Sequence, residues 1–238
     1  MPNCTPSLIA SQSRNPRRRT STPVVSLNRA RPNMGNTWTP NCPTYSLPIP
    51  YLQNVTPKSM VIMWETSIPL ETHIAYWSSA PEKQFLTGPR LVMRHESLLD
   101  DLKPNTVYSY SVIFHDKEVF ERTLRTAPDR PLFFRLVGDG DSRSSPQVHE
   151  TVLEGIISSH PDIVLLTGDL VGIGENYVYW APEFFGPARN SMHDTPVFPS
   201  LGNHEYFYSG RSWLSSLFSL PNDELTLRKA DLDSDGKE

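Results

Sequence analysis

Cysteine is almost missing from this sequence of 238 residues, which contains only Cys4 and Cys42, both near the N-terminus. A disulfide framework and a cysteine-based metal site are therefore excluded for most of the chain. Acidic residues are missing from residues 1–64, which hold seven Lys and Arg. The rest of the chain has a net charge of −11, because all 26 Asp and Glu lie there with only 15 basic residues. This acidic part disfavours a specific nucleic acid partner and suits divalent cations.

Long hydrophobic runs are also missing. No stretch approaches the roughly 18 apolar residues that cross a bilayer, so we expect no membrane span, and the N-terminus lacks the apolar core of a secretory signal. Residues 1–47 are instead rich in Pro, Ser, Thr, Asn and Arg, and include three consecutive arginines, Arg17 to Arg19. This composition predicts a disordered tail. An organelle-targeting segment and a polyanion-binding patch are the alternatives.

Residues 48–127 contain short segments in which apolar and polar residues alternate, at 59–66, 73–78, 106–114 and 120–126. This alternation predicts half-buried antiparallel strands. Pro104-Asn105 forms a turn ahead of Tyr108, which resembles the tyrosine corner of immunoglobulin-like sandwiches, and Trp64 is a candidate core residue. We therefore expect an all-β sandwich, similar to fibronectin type III modules, that serves as a spacer or structural cap.

From residue 131 to residue 238 the pattern changes to strands that alternate with helices. The sequences of 131–138, 162–169 and 195–202 predict buried strands, and 175–185 and 211–221 predict helices or a lid. Between the first two strands, Pro146 suits the first helical position after a Ser145 cap, and Val148, Val152 and Ile156 recur at helical spacing. Strands that alternate with helices predict a parallel sheet with crossover connections, and therefore an α/β domain.

Each predicted strand ends in glycine and a polar side chain, at Asp139 and Asp141, at Asp169, and at Asn203 with His204 beside it. Because the carboxyl ends of parallel strands share one edge, these side chains are expected to converge. Such oxygen ligands, completed by imidazole, suit Mn, Fe or Zn. Two adjacent ions would activate a bridging hydroxide and neutralise a phosphoryl group, and His204 would protonate or stabilise the leaving oxygen.

The ordered motifs "GDSR" (140–143), "GDLV" (168–171) and "GNHE" (202–205) resemble those of the calcineurin-like metallophosphoesterases, and the preceding sandwich is similar to the purple acid phosphatase branch. The resemblance implies a partial αββα sandwich, two divalent or trivalent metal ions (Fe, Mn or Zn) and a phosphate ester substrate. It implies that Asp169 bridges both ions, that Asn203 binds the second and that His204 is catalytic. Glu205 is expected to support the ligands or cap a helix.

The first motif leaves two candidates for the metal-binding carboxylate, Asp139 and Asp141. We favour Asp141, because "GDSR" leads straight into a predicted helix and resembles a variant of the family motif. Arg143 then stands where the family has a histidine ligand. Its guanidinium suits a substrate phosphate, or alternatively a salt bridge to Asp139 or Asp141.

Two departures from the family pattern support a competing hypothesis. Gly172 stands where the purple enzymes have a metal-binding tyrosine, and no histidine follows His204. We expect His149, His160 and His193 to be surface residues that do not replace the missing ligands. The alternative is therefore a catalytically inactive, truncated homologue that acts as a binding module or is a gene fragment. A half-sandwich also predicts association with another chain that completes it. Family tendency favours an extracellular or periplasmic location.

Overall fold

The structure is a computed structural model that describes residues 49–78, 82–88, 91–114, 116–206 and 210–221, with Gly210 and Arg211 described by their backbone alone. The predicted tail at 1–47, both cysteines and His115 lie outside the described residues. So does the chain after residue 221.

The first part of the chain forms two antiparallel sheets from seven strands: β1 (Tyr51–Gln53), β2 (Met60–Leu70), β3 (His73–Trp77), β4 (Gln84–Thr87), β5 (Val92–Leu99), β6 (Val107–Phe114) and β7 (Lys117–Arg125). One sheet has the order β1-β2-β5 and the other β4-β3-β6-β7. All neighbouring strands in both sheets are antiparallel. The predicted fibronectin type III-like sandwich is therefore confirmed. Strands β1, β4 and β5 carry no pattern that predicted them.

Two aromatic residues explain how this sandwich is held together. Trp64 is 1% exposed and stacks on His95, with the ring centroids 4.9 Å apart. The hydroxyl of Tyr108 accepts a hydrogen bond from the backbone N–H of Lys103 at 2.9 Å. The core position of Trp64 and the tyrosine corner are both confirmed.

His95 makes the stability of the sandwich dependent on pH. Its ring nitrogens contact the hydroxyls of Thr72 and Thr66 at 3.0 and 3.1 Å, and burial lowers its pKa from 6.5 to about 4. Because the folded state disfavours the charged ring, its stabilising effect is complete above about pH 6.5 and falls as the pH drops toward 4, by at most about 1.4 kcal/mol per pH unit. Urea unfolding at pH 7 and pH 5 measures this loss, which we expect to be smaller in His95→Gln. An equal loss in both proteins would contradict it.

The second part of the chain contains a three-stranded parallel sheet with the order β10-β9-β8. Its described elements are β8 (Leu136–Asp139), α1 (Pro146–Ser158), β9 (Ile163–Leu166), α2 (Gly186–Ala188), β10 (Val197–Pro199), α3 (Asn203–Tyr206) and α4 (Gly210–Leu217). A 3-10 turn at Tyr177–Tyr179 and a π-helical turn at Trp180–Phe185 precede α2. The predicted alternation of parallel strands and helices is confirmed. None of the described helices has the length and apolar character needed to cross a membrane.

The buried face of α1 differs from the predicted one. Val148 and Val152 are 63% and 43% exposed, whereas His149, Leu153 and Ile156 are buried. Both sets fit the helical period, and packing against the sheet favours the face that carries the larger Leu153. The predicted surface positions of His149 and His193 are therefore wrong, since each is 3% exposed. His160 is exposed, as expected.

The sandwich packs directly against the α/β part through a shared apolar core. The ring of Tyr51 lies 5.3 Å from that of Phe185, and the N–H of Leu52 donates to the carbonyl of Met192 at 2.9 Å. Val61 and Met63 join the same core. This contact is that of a structural cap rather than of a free spacer. The domain bounds 48–127 and 131–238 remain predictions.

Candidate functional site

The loops that follow β8 and β9 are joined through their backbones at the carboxyl edge of the sheet. The N–H of Asp141 donates to the carbonyl of Gly168 at 3.0 Å, and the N–H of Arg143 donates to that of Asp169 at 3.2 Å. Asp141 and Asp169 both have a φ of +55°. This left-handed conformation is uncommon for residues with a side chain, although aspartate tolerates it best, and here it lies in the loop after each strand.

Arg143 connects the two carboxylates that the sequence places at these strand ends. Its guanidinium donates to Oδ2 of Asp169 at 2.9 Å and also pairs with Oδ1 of Asp141. The Asp169 side chain is 16% exposed and that of Asp141 75% exposed. Of the two salt bridges predicted for Arg143, the one to Asp141 is therefore present, and the contact with Asp169 is an addition.

His204 lies at the same edge, at the start of α3. Its backbone N–H donates to Oδ1 of Asp169 at 3.0 Å, and its Nδ1 lies 2.6 Å from the carbonyl oxygen of Gly172. Because a carbonyl oxygen only accepts, Nδ1 carries the proton, which leaves Nε2 free of this contact. Gly172 therefore orients the histidine. The side chain of Asn203 is exposed at the first position of α3, and no hydrogen bond joins it to the other described site residues.

The carboxylate of Glu205 ties α3 to the loop after β9. Glu205 is fully buried. Its Oε2 accepts the N–H groups of Asp169 and Gly202 at 2.7 and 3.1 Å. Its Oε1 accepts those of Leu170 and Val171 at 2.9 and 3.2 Å. Glu205 thus supports the Asp169 loop, in agreement with its predicted role.

Asp139, the other carboxylate of the first motif, faces α1 instead. Its Oδ2 lies 3.3 Å from Nε2 of His149, and the two side chains are 9% and 1% exposed. Neither atom has a hydrogen bond of good geometry within the described residues. The ring of Phe184 lies 5.7 Å from that of His149. The structure therefore separates the environment of Asp139 from that of Asp141, which lies with Asp169 and Arg143.

The charges at this edge bear on whether a cation fits. The described residues contain no group of three or more His, Cys, Asp and Glu side chains close enough to hold a metal. Asp141 and Asp169 nevertheless share one positive partner, the guanidinium of Arg143, which shows that a cation is accommodated between these two carboxylates. Their oxygen atoms are donors that suit Mn, Fe or Zn, so the donor set fits a metal ion in its chemistry.

Sequence reasoning missed several residues that fix this site. Glu183 accepts the N–H of Gly172 at 2.6 Å, and Tyr177 and Trp213 hold the same loop, as described below. These residues carry no motif, so no local signal in the sequence points to them. His149 recurs at helical spacing with Leu153 and Ile156, and this pattern could have predicted that its side chain is buried.

Comparison with known proteins bears on the family of the α/β part and on the fold of the chain. Residues 141–233 match the family model described as calcineurin-like phosphoesterase. No protein of curated function matches the sequence. A purple acid phosphatase from yellow lupin (Lupinus luteus) seeds superposes with a TM-score of 0.60 at 16% identity, over 73% of this chain and 40% of that one. PhoD superposes with a TM-score of 0.50 at 10% identity, over 69% of this chain and 42% of that one.

The chain thus spans about two fifths of the length of both solved structures. At these identities the likeness shows the fold, which in both cases extends over the sandwich and the α/β part. The family match begins at Asp141 and includes the second and third motifs. Residues 141–233 therefore resemble the calcineurin-like phosphoesterases in sequence, and the chain has a fold similar to that of the lupin purple acid phosphatase.

Proposed function

We propose that this protein hydrolyses phosphate esters with the help of metal ions bound at the carboxyl edge of the parallel sheet. The observation that supports this proposal best is the convergence of Asp141, Asp169, Arg143 and His204 at that edge. These side chains supply two carboxylates, a guanidinium and an imidazole, which together can bind a cation and a phosphate. The family model that residues 141–233 match supports phosphoester hydrolysis as the reaction class.

In this proposal Asp141, Asp169 and Asn203 hold the metal ions, with Asp139 as the alternative to Asp141. Two ions of Fe, Mn or Zn would supply an activated hydroxide and neutralise charge on the phosphoryl group. Asp169 is the proposed central ligand, and the contacts of its carboxylate with Arg143 and with the N–H of His204 support this role.

Arg143 and His204 are the residues proposed to act on the substrate. Arg143 is 30% exposed, and its planar guanidinium suits a phosphate group in two-point contact. His204 has Nδ1 bonded to the carbonyl of Gly172, which leaves Nε2 for the leaving oxygen. In the ring protonated at both nitrogens, the Nε2–H would give its proton to that oxygen or stabilise its charge. Glu205 holds the loop beneath both.

The test is to remove metals from the purified chain, reload it with Mn, Fe or Zn, and measure hydrolysis of an aryl phosphate. We expect His204→Ala to lower kcat/KM by about 10²- to 10⁴-fold, because proton transfer to the leaving oxygen is lost. Elemental analysis should find stoichiometric metal in the parent protein and less in Asp169→Asn. Glu118→Gln, on the surface of the sandwich, is the control. No bound metal and no hydrolysis in the parent would refute the proposal.

A second candidate function is binding of a phosphate group without turnover. It is favoured by Arg143, a partly exposed cation already present at this edge that can pair with phosphate without a metal ion. In this case inorganic phosphate binds the metal-free chain in a calorimetric titration, and Arg143→Gln abolishes the signal. Hydrolysis that depends on added metal would exclude this function.

A further inference from the structure

A partly buried charged cluster joins the sandwich to the loop that orients His204. Glu65 of β2 is 6% exposed, and its Oε1 accepts a hydrogen bond from Nε of Arg94 at 2.7 Å. The hydroxyl of Tyr177 donates to the other carboxylate oxygen of Glu65. Arg94 donates through its second arm to the hydroxyl of Ser216 on α4. Two residues of the sandwich thus contact residues that follow β9 and β10.

Aromatic contacts close the cluster around Tyr177. The rings of Tyr177 and Trp213 lie 5.0 Å apart, and the guanidinium of Arg94 lies 5.9 and 5.7 Å from their centroids. The indole N–H of Trp213 donates to the carbonyl of Glu175 at 2.8 Å. The Gly172–Tyr177 loop is therefore held at its far end by Glu65 and by Trp213.

The near end of this loop contacts His204 twice. The N–H of Gly174 donates to the carbonyl of His204 at 3.1 Å, and the carbonyl of Gly172 accepts from Nδ1 of the same residue. A Cβ added to Gly174 would lie 2.7 Å from the His204 carbonyl oxygen, so the backbones are in close approach. A shift of the loop would therefore remove the carbonyl that orients the histidine ring.

The charge of Glu65 holds the Tyr177 end of the loop in place. A buried carboxylate requires both its cation and its hydrogen-bond donors, because a missing partner leaves an uncompensated charge. Burial, with a smaller effect of the hydrogen bond to Glu65, raises the pKa of the Tyr177 hydroxyl, which keeps it a donor at neutral pH. Glu65 thus has a permanent donor in the loop.

We propose that Glu65 and Tyr177 are positioning residues for His204, through which the fibronectin type III-like sandwich forms part of the framework of the site. The sandwich fixes the Gly172–Tyr177 loop, and the loop fixes the tautomer and the direction of the imidazole. The structural part of this inference is independent of the proposed hydrolysis, and its catalytic consequence rests on it.

The test is amide hydrogen exchange of the whole chain, measured by NMR at single residues in Tyr177→Phe and Glu65→Gln. Tyr177→Phe keeps the ring on Trp213 and removes only the donor to Glu65. We expect exchange at Gly174 to become at least about tenfold faster in both variants, because a hydrogen bond to a charged group is lost. Exchange in β6, far from the loop, should stay unchanged.

Matched controls are Tyr179→Phe, in the adjacent turn, and Glu118→Gln, from an exposed ion pair with Lys83. Both should leave exchange at Gly174 as it is. Unchanged exchange at Gly174 in Tyr177→Phe and Glu65→Gln would overturn the inference, and so would an equal rise over the whole chain. If the protein hydrolyses an aryl phosphate, both variants should lower kcat with little change in KM. Absence of hydrolysis would refute the proposed function alone, since the exchange result stands without it.

Discussion

Replacement of Gly202 by alanine is expected to lower the free energy of unfolding by at least about 3 kcal/mol. A Cβ at this position would lie 2.2 Å from both the backbone nitrogen and Oδ1 of Asp169. These atoms cannot give way, because Asp169 is held by Arg143 and by Glu205. Denaturant unfolding measures the loss.

The same close approach is found from the other loop, at Gly168. Gly168 has a φ of +92°, and a Cβ there would lie 2.3 Å from the nitrogen of Gly202. The two loops therefore meet backbone to backbone, and no side chain fits between them. Gly138→Ala is the matched control, since nothing lies within 4 Å of its added Cβ. If Gly202→Ala lost less than about 1 kcal/mol, this account of the paired glycines would be wrong.

Replacement of Glu205 by alanine is expected to cost about 3 to 5 kcal/mol and to loosen the loop after β9. The change leaves four backbone N–H groups, those of Asp169, Leu170, Val171 and Gly202, without their acceptor. Because Glu205 is fully buried, water cannot replace the carboxylate without opening the site. Unfolding in urea and amide exchange at Leu170 measure the effect.

Glu205→Gln separates the charge from the shape of this side chain. The amide keeps one acceptor but turns an NH₂ group toward two N–H donors, so we expect most of the loss to remain. Glu154→Gln, on the exposed face of α1, is the control and should change stability by less than about 0.5 kcal/mol. A Glu205→Gln protein as stable as its parent would show that the four hydrogen bonds contribute little.

Much of the architecture follows from local patterns. Period-two alternation predicted four of the seven sandwich strands, and Tyr108 after Pro104-Asn105 predicted the corner that the Lys103 N–H completes. Strand and helix alternation predicted the parallel sheet, because crossover connections permit little else. The glycine and polar side chain that end each predicted strand indicated where the loops after β9 and β10 begin. These signals are readable because each lies within a few residues.

Local patterns did not predict which face of α1 is buried. Val148 and Val152 fit the helical period as well as His149 and Leu153 do, and only the neighbouring sheet and Phe184 distinguish the two faces. Because the face that carries Leu153 is the buried one, His149 is buried as well and lies against Asp139. Local patterns also did not predict which acidic residue of the first motif lies near Asp169. In the structure Asp141 shares Arg143 with Asp169, whereas Asp139 lies against His149.

By itself, the sequence determined the order of the motifs and the presence of carboxylates, an amide and His204 at strand ends. The tertiary structure decided their partners: Arg143 between Asp141 and Asp169, and Glu65 beneath Tyr177. Glu65 and Tyr177 are 112 positions apart in the chain. Such a pair leaves no periodic or local signal, because the two residues meet only when the sandwich packs against the α/β part.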